Sequence, residues 1–363
     1  MGDESRRVWP IRRRGDGLPA TTPADDLPAD PFPTEPPPPE PEPVRMDAPP
    51  RLTLAAVRLA ALGLALVLTI GITMVRLFVG GPPSVEELRA QAGVDNWSTI
   101  AIGVKDDQPG TAEGRKDGTW AGFDIDIAYM IAADLGFRRS EVRFYAMESE
   151  DRARMQATDV DGHRVPVQMV VASFSITPER EARDNVTFSQ PYLFTEQSVL
   201  TLHAHEKVSA LEEFKGKNVC SLTTATSLSA PEKAGAKVHQ RNRIGECIAD
   251  LRARRVDAVT TDAAILAGYK ARFPQEFDHW DLGLDTTEAW GVNVGQNAAL
   301  KTLVDLTLYR SYKDPQDNRW EIAYANNLQS EVPANRGTPI AQAEQPAVTK
   351  PDVREQPWER VFP

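Results

Sequence analysis

The chain reads as an α/β protein of two doubly wound lobes joined by a two-strand hinge and preceded by one transmembrane helix. Three patterns predict this. Short β-branched runs alternate with amphipathic stretches over 99–172, a like alternation restarts at 218, and 17 residues over 59–75 carry no charge. Strand and helix in alternation favour parallel sheets covered on both faces. A length of 363 residues suits two compact lobes with further segments.

Composition narrows the function classes. The net charge of −11 argues against nucleic acid as a partner. Two cysteines, Cys220 and Cys247, exclude a disulfide-dense miniprotein and any Cys-rich zinc or iron–sulfur centre. His203 and His205 alternate along a predicted strand, but no third ligand accompanies them, so no metal is expected. No Walker loop, G-x-S-x-G or H-E-x-x-H occurs, and no nucleophile stands beside a base; neither cofactor nor catalysis is expected.

Residues 1–50 hold 14 of the 29 prolines and lack apolar periodicity, so they are expected to form a disordered Pro-rich cytoplasmic tail. The span 51–79 is expected to anchor the chain. Its uncharged centre covers roughly 26 Å at about 1.5 Å per residue, and Arg58 and Arg76 can snorkel at its ends. A cleaved signal peptide fits less well, because fifty residues precede the run and no A-x-A site follows. Arg45, Arg51 and Arg58 against Arg76 and Arg89 put the N-terminus in the cytoplasm and the large domain outside.

Residues 80–96 are expected to form a stalk with a helical turn from Ser84. A strand over 99–104 follows, then a helix over 123–135 with Ile125, Ile127, Ala128, Ile131, Ala132 and Leu135 on one face. Strands over 142–147 and 167–172, with a polar helical stretch from Ser149 between them, complete the first unit. The second unit has strands over 218–222 and 256–261 and helices over 245–254 and 263–272. A strand over 290–294 and helices over 297–312 and 319–328 close the fold, and 331–363 are expected to be a disordered tail.

Ligands of open α/β sheets sit beyond the carboxyl ends of strands. Those ends carry Lys105 after the first strand, Ser173 and Ser175 with Arg180 after the third, Thr224 and Thr226 in the second unit, and Asp262 after its next strand. Two lobes facing each other would clamp a small zwitterion, Arg180 on a carboxylate and Asp262 on an ammonium. Each residue alone also fits a solvated loop; the joint pattern carries the reading.

Four motifs then resemble one family: G-F-D-I-D-I at 122–127, S-I-T-P-E-R at 175–180, V-T-F-S-Q-P-Y at 186–192 and V-D-A-V-T-T-D-A-A-I-L-A-G at 256–268. In order and kind they resemble the extracellular solute-binding proteins of family 3, over about 97–328. K-D-D-Q-P-G at 105–110, the start at Val219 and E-C-I at 246–248 resemble the glutamate/aspartate-binding branch that serves polar amino-acid ABC transporters.

The resemblance implies the type II periplasmic-binding-protein fold, with lobe 1 over 97–197 and 288–330, lobe 2 over 198–287, and hinges near 196–202 and 284–289. It implies that Arg180 holds the ligand α-carboxylate with donors from Ser175 and Thr226, and that Asp262 and the Ser173 carbonyl hold the ammonium. Arg152, or its neighbour Arg154, would meet a side-chain carboxylate, and Lys105 falls at another basic position of the branch. Cys220 and Cys247 are paired in that branch; two buried free thiols are the alternative. Three departures stand out: Asp106 replaces an aromatic residue, Thr224-Ala225-Thr226 replaces Gly-Ser/Thr-Thr, and 157–166 reads as a longer loop than usual. The partner implied is an ABC permease, or, for a sensor of the same fold, a signalling membrane protein that leads to a kinase; an enzyme on the same fold is the third and lesser alternative.

Overall fold

The structure, a computed structural model, describes residues 53–78, 81–284 and 287–355. The Pro-rich segment 1–50 and residues 356–363 lie outside the described residues. The uncharged run folds as a single helix, Leu54–Phe78 (α1), and its apolar stretch is long enough to cross a membrane.

Helix Val85–Ala92 (α2) starts at a capping box: the Ser84 hydroxyl accepts from the Glu87 N–H at 3.1 Å, and the Glu87 carboxylate accepts from the Ser84 N–H at 2.9 Å. It buries Leu88 and Ala92, and Asn297 donates to the Ala92 carbonyl at 2.9 Å. The expected stalk is therefore corrected, because 84–96 pack into the first lobe.

That lobe is built on Ile100–Val104 (β1). Asp107–Gln108 (β2), Ala112–Gly114 (β3) and Trp120–Ala121 (β4) form a small antiparallel sheet beside it. Phe123–Asp134 (α3) buries its apolar face on β1 and leads to Val142–Ala146 (β5), which is parallel to β1. Gln156–Thr158 (β6) and Arg164–Pro166 (β7) form a hairpin, and Met169–Val170 (β8) pairs parallel with β1. The resulting order is β7-β6-β5-β1-β8. Pro178–Glu181 (α4) is a single turn beyond β8.

The second lobe combines Leu193–Leu202 (β9), Asn218–Leu222 (β10), Ser229–Lys233 (α5), Lys237–Arg241 (β11), Ile244–Arg252 (α6), Ala258–Asp262 (β12), Ala263–Arg272 (α7) and Phe277–Asp281 (β13). Its order is β11-β10-β12-β9-β13, with β10 parallel to β11 and β12 and with β9 antiparallel to its neighbours. The chain returns through Thr287–Trp290 (β14) to the helices Ala298–Lys313 (α8) and Arg319–Asn327 (α9), which cover the first sheet.

Strand β9 does two jobs. Residues 197–202 lie in the second sheet, and residues 193–196 pair with β14 alone. These are the two crossings between the lobes. The strand expected over 290–294 is instead a short extension of β14, with Val170↔Asn293 and Ser175↔Trp290 bridges to the first lobe.

The disordered tail expected from 331 is corrected by the structure for 331–355. Ile340, Val348 and Val353 are buried in the main core, the Gln342 N–H donates to the Phe194 carbonyl at 2.9 Å, and Arg354 donates to the Pro83 carbonyl at 3.0 Å. Side-chain and backbone hydrogen bonds hold this segment without any repeating apolar pattern.

Candidate functional site

Arg180 is placed by local chemistry. Thr177 caps α4 by accepting from the Arg180 N–H at 3.3 Å, and Pro178 starts the turn with a preset φ. The guanidinium then points into the crevice. It donates to the Ser175 carbonyl at 2.6 Å and, across the lobes, to the Thr224 carbonyl at 2.8 Å. Arg152 donates to the carbonyls of Ser149 at 3.1 Å, Ala172 at 3.3 Å and Ser173 at 2.8 Å. Both guanidinium carbons lie over the Phe174 ring, 4.7 Å away for Arg152 and 4.8 Å for Arg180.

Lys105 is fully buried and donates to the Ser149 hydroxyl at 3.3 Å and to the Asn242 carbonyl of the other lobe at 3.4 Å. Asp262 ends β12, and its carboxylate accepts from the Trp290 indole at 2.6 Å. Among the described residues, none of Lys105, Arg152 and Arg180 is in ion-pair contact with a carboxylate, although each is buried. A buried charge without an ionic partner costs several kcal/mol, on the order of 2–7 even for a polar group; here the three cations are held by neutral carbonyl and hydroxyl acceptors.

The electrostatics follow from burial. It pushes the Lys105 ammonium down to about 8, with further lowering by Arg152. Arg152 is lowered by burial and then by Arg180, and Arg180 by burial. Asp262 is raised by burial and then by Glu288, while the Trp290 bond and both arginines oppose the rise. Asp124, raised to about 6 by burial, accepts from the Ser173 N–H at 2.8 Å and from the Tyr192 hydroxyl at 2.9 Å.

The structure thus brings Lys105, Arg152, Ser173, Ser175, Arg180, Thr224 and Asp262 together where the two lobes meet. Thr226 opens the 3-10 turn after Thr224 and makes no side-chain hydrogen bond among the described residues. Ser173 presents its hydroxyl to Gln108 at 2.8 Å and its carbonyl to Arg152, so that carbonyl is spoken for by a guanidinium here. Arg154 does not join this set: its side chain is exposed and pairs with Glu150 and with the buried Asp151. Asp106, at the position of the expected aromatic, forms a cross-lobe ion pair with Arg243 at 2.7 Å.

Ser173 and Thr224 both adopt left-handed backbone, φ 48° and φ 62°. Such strain in residues with a Cβ concentrates at functional sites. Thr224 holds this conformation with a β-branched side chain, for which it is costly. Sequence reading did not single out Phe174, Ser149, Asn242 or Trp290. Phe174 directly precedes the S-I-T-P-E-R motif and Trp290 opens the strand expected over 290–294; the Asn242 backbone carbonyl that meets Lys105 leaves no signal.

Cys220 and Cys247 are joined by a disulfide, Cα–Cα 5.5 Å, between β10 and α6. His203 pairs with Asp278 and His205 bonds the Glu206 carbonyl.

Two sheets, the first with a parallel core and the second with an antiparallel β9 at the crossover, together with charged strand ends facing one crevice, define a type II periplasmic-binding-protein fold. An ancestral arginine-binding protein bound to glutamine shares it, with a TM-score of 0.55 at 27% identity, over 63% of this chain and 97% of that one. The profile of bacterial extracellular solute-binding proteins, family 3, matches residues 100–320, and the chain belongs to that family. Over 242 residues the chain is 30% identical to a glutamate-binding protein, GluB, of Corynebacterium efficiens, covering 63% of this chain and 79% of that protein. Over 224 residues it is 32% identical to an ABC transporter glutamine-binding protein, GlnH, of Bacillus subtilis, covering 58% and 76%.

Proposed function

We propose that this protein binds a free acidic amino acid, glutamate or aspartate, between its lobes outside the cytoplasm, and that α1 anchors it in the membrane. The carrying observation is the excess of positive charge where the lobes meet: three buried cations, Lys105, Arg152 and Arg180, against the buried carboxylates Asp262 and Asp124. An amino acid with two carboxylates and one ammonium complements that set. Arg180 takes the α-carboxylate, Asp262 the ammonium, and Lys105 with Arg152 the side-chain carboxylate. Burial makes each of these contacts charge-assisted in a low dielectric.

The three similar proteins named above are binding proteins, which supports a crevice that holds and releases rather than transforms. Closure of the lobes around ligand would present a surface to an ABC permease, and ligand would be delivered there. A second reading, sensing through a signalling membrane partner, draws on the contact of Arg354 with Pro83 and Glu87, five and nine residues after α1 in the sequence. Cross-linking in native membranes separates the two: a permease with its ATPase supports delivery, a kinase-linked membrane protein supports sensing. Binding itself is tested by calorimetry with the common amino acids, where a Kd in the micromolar range or tighter for glutamate or aspartate supports the reading. Arginine or another basic amino acid binding best would overturn the acidic assignment.

A further inference from the structure

Residues 329–340 lie beyond the matched family region and pass from one lobe to the other. They leave α9 as a 3-10 turn, Gln329–Ala334, and reach α7 and β13 of the second lobe. Asn335 is buried there with its amide fully used. Its nitrogen donates to the Ala267 carbonyl at 3.2 Å and to the Glu331 carbonyl at 2.9 Å, and its oxygen faces His279 Nδ1 at 2.6 Å. An amide oxygen accepts, so His279 carries its proton on Nδ1, and Nε2 accepts from the Ser198 hydroxyl of β9 at 2.7 Å. Burial holds this imidazole at about 4, so it stays neutral.

Thr338 adds a second fastening by donating to the His279 carbonyl at 2.8 Å. The chain then returns over the crossover half of β9, where Thr195 donates to the Ile340 carbonyl at 2.6 Å, and onto α8, where Gln345 donates to the Leu308 carbonyl at 3.0 Å. Glu331 fills the gap between the lobes. A Cβ at Gly110 of the first lobe would collide with its carboxylate, and one at Gly268 of α7 would stand 3.0 Å from Glu331 Oε1 and collide with the Pro109 carbonyl. The space left at Gly110 is occupied by the Glu331 carboxylate, and that at Gly268 by the Pro109 carbonyl with Glu331 beside it.

We propose that residues 329–340 form a clasp by which this chain holds its own two lobes together, whether or not ligand is bound. This rests on reading the crevice as one that opens and closes. Opening rotates the second lobe about β9 and β14. A segment rooted in α9, fastened to Ala267 and His279 and fastened again at Leu308, resists that rotation. The clasp therefore sets the fraction of open protein that ligand encounters.

The amide of Gly245 reports the opening directly. It lies in the first turn of α6, where no intrahelical acceptor serves it, and its N–H donates across the lobes to Asp107 Oδ2 at 2.8 Å. Hydrogen exchange at Gly245 in the ligand-free full chain is therefore the test, with exchange at Ile102 and Val219 as internal references. Thr338→Val keeps the side-chain shape and removes one hydrogen bond; it is expected to speed Gly245 exchange about fivefold, and Asn335→Ala by more, with the references unchanged. If Asn335→Ala does not fold, every amide exchanges and Thr338→Val alone decides. Parental exchange at Gly245 in folded Thr338→Val would overturn the clasp. No ligand enters the experiment, so its failure is separate from failure of the amino-acid reading.

Discussion

Arg180 of the first lobe donates to the Thr224 carbonyl of the second at 2.8 Å, and Thr224 holds that carbonyl in a left-handed conformation at φ 62°. The residue assigned to a ligand carboxylate is thus also a tie between the lobes. On the proposed reading, a ligand held by Arg180 of the first lobe and Asp262 of the second would bridge the same two lobes and so link occupancy to closure.

Arg180→Ala is expected to weaken glutamate binding at least about 30-fold, since truncating one partner of a buried charged pair costs about 2–5 kcal/mol. Arg180→Lys, which keeps the charge and loses the fork, should fall between parent and alanine. Titration calorimetry at fixed salt gives both values. Equal affinity in the alanine variant would remove Arg180 from the site.

Lys105 is the residue that should separate an acid from its amide. Lys105→Met keeps the buried stem and removes the ammonium. The glutamate-to-glutamine affinity ratio is expected to drop about tenfold or more, because a charge-assisted hydrogen bond contributes about 1.5–3 kcal/mol. Competition binding with the two ligands reads the ratio, and an unchanged ratio would place Lys105 outside ligand contact.

Glu331 makes stability depend on pH. Burial raises its carboxyl from 4.5 to about 8, and Oε2 has no hydrogen-bond partner. A raised carboxyl favours the folded state fully below the unfolded value of 4.5, and that contribution is lost as pH rises through about 8. Glu331→Gln should therefore match the parent near pH 4.5 and exceed it at pH 8.5, on the order of 1–3 kcal/mol. Urea unfolding at the two pH values measures the difference; a parent as stable as the variant at pH 8.5 would contradict the assignment.

The Cys220–Cys247 bond closes a separation of 27 residues. Replacing both cysteines by alanine should cost about 3–4 kcal/mol in the chain-entropy picture, seen as a lower urea midpoint. A loss below about 1 kcal/mol would mean that packing of β10 on α6 already holds this corner.

The legibility of the chain follows its physics. Helix α3 and strand β1 were readable because their apolar residues repeat at the helical and strand periods and are buried. Lys237–Arg241 was missed because an edge strand facing water needs no apolar alternation, and its burial is slight. Leu193–Leu202 was seen only as a hinge, since one strand serves two partners and its pattern mixes both. The C-terminal segment was misread for a related reason: Asn335, Thr338 and Gln345 fasten it through polar atoms, and its Pro and Gln content resembles a free tail. At the crevice, Arg180 and Asp262 were legible as charges at strand ends. Phe174 under both guanidiniums and the Asn242 carbonyl were not, because a ring stack and a backbone acceptor carry no sequence signature.

The most direct test of the account is calorimetric titration of the purified protein with each common amino acid at pH 7.5. It predicts saturable one-to-one binding of glutamate or aspartate, with glutamine weaker and basic amino acids weaker still. A protein that binds none of them, or binds arginine in preference to glutamate, would contradict an acidic amino acid held by Lys105, Arg152, Arg180 and Asp262.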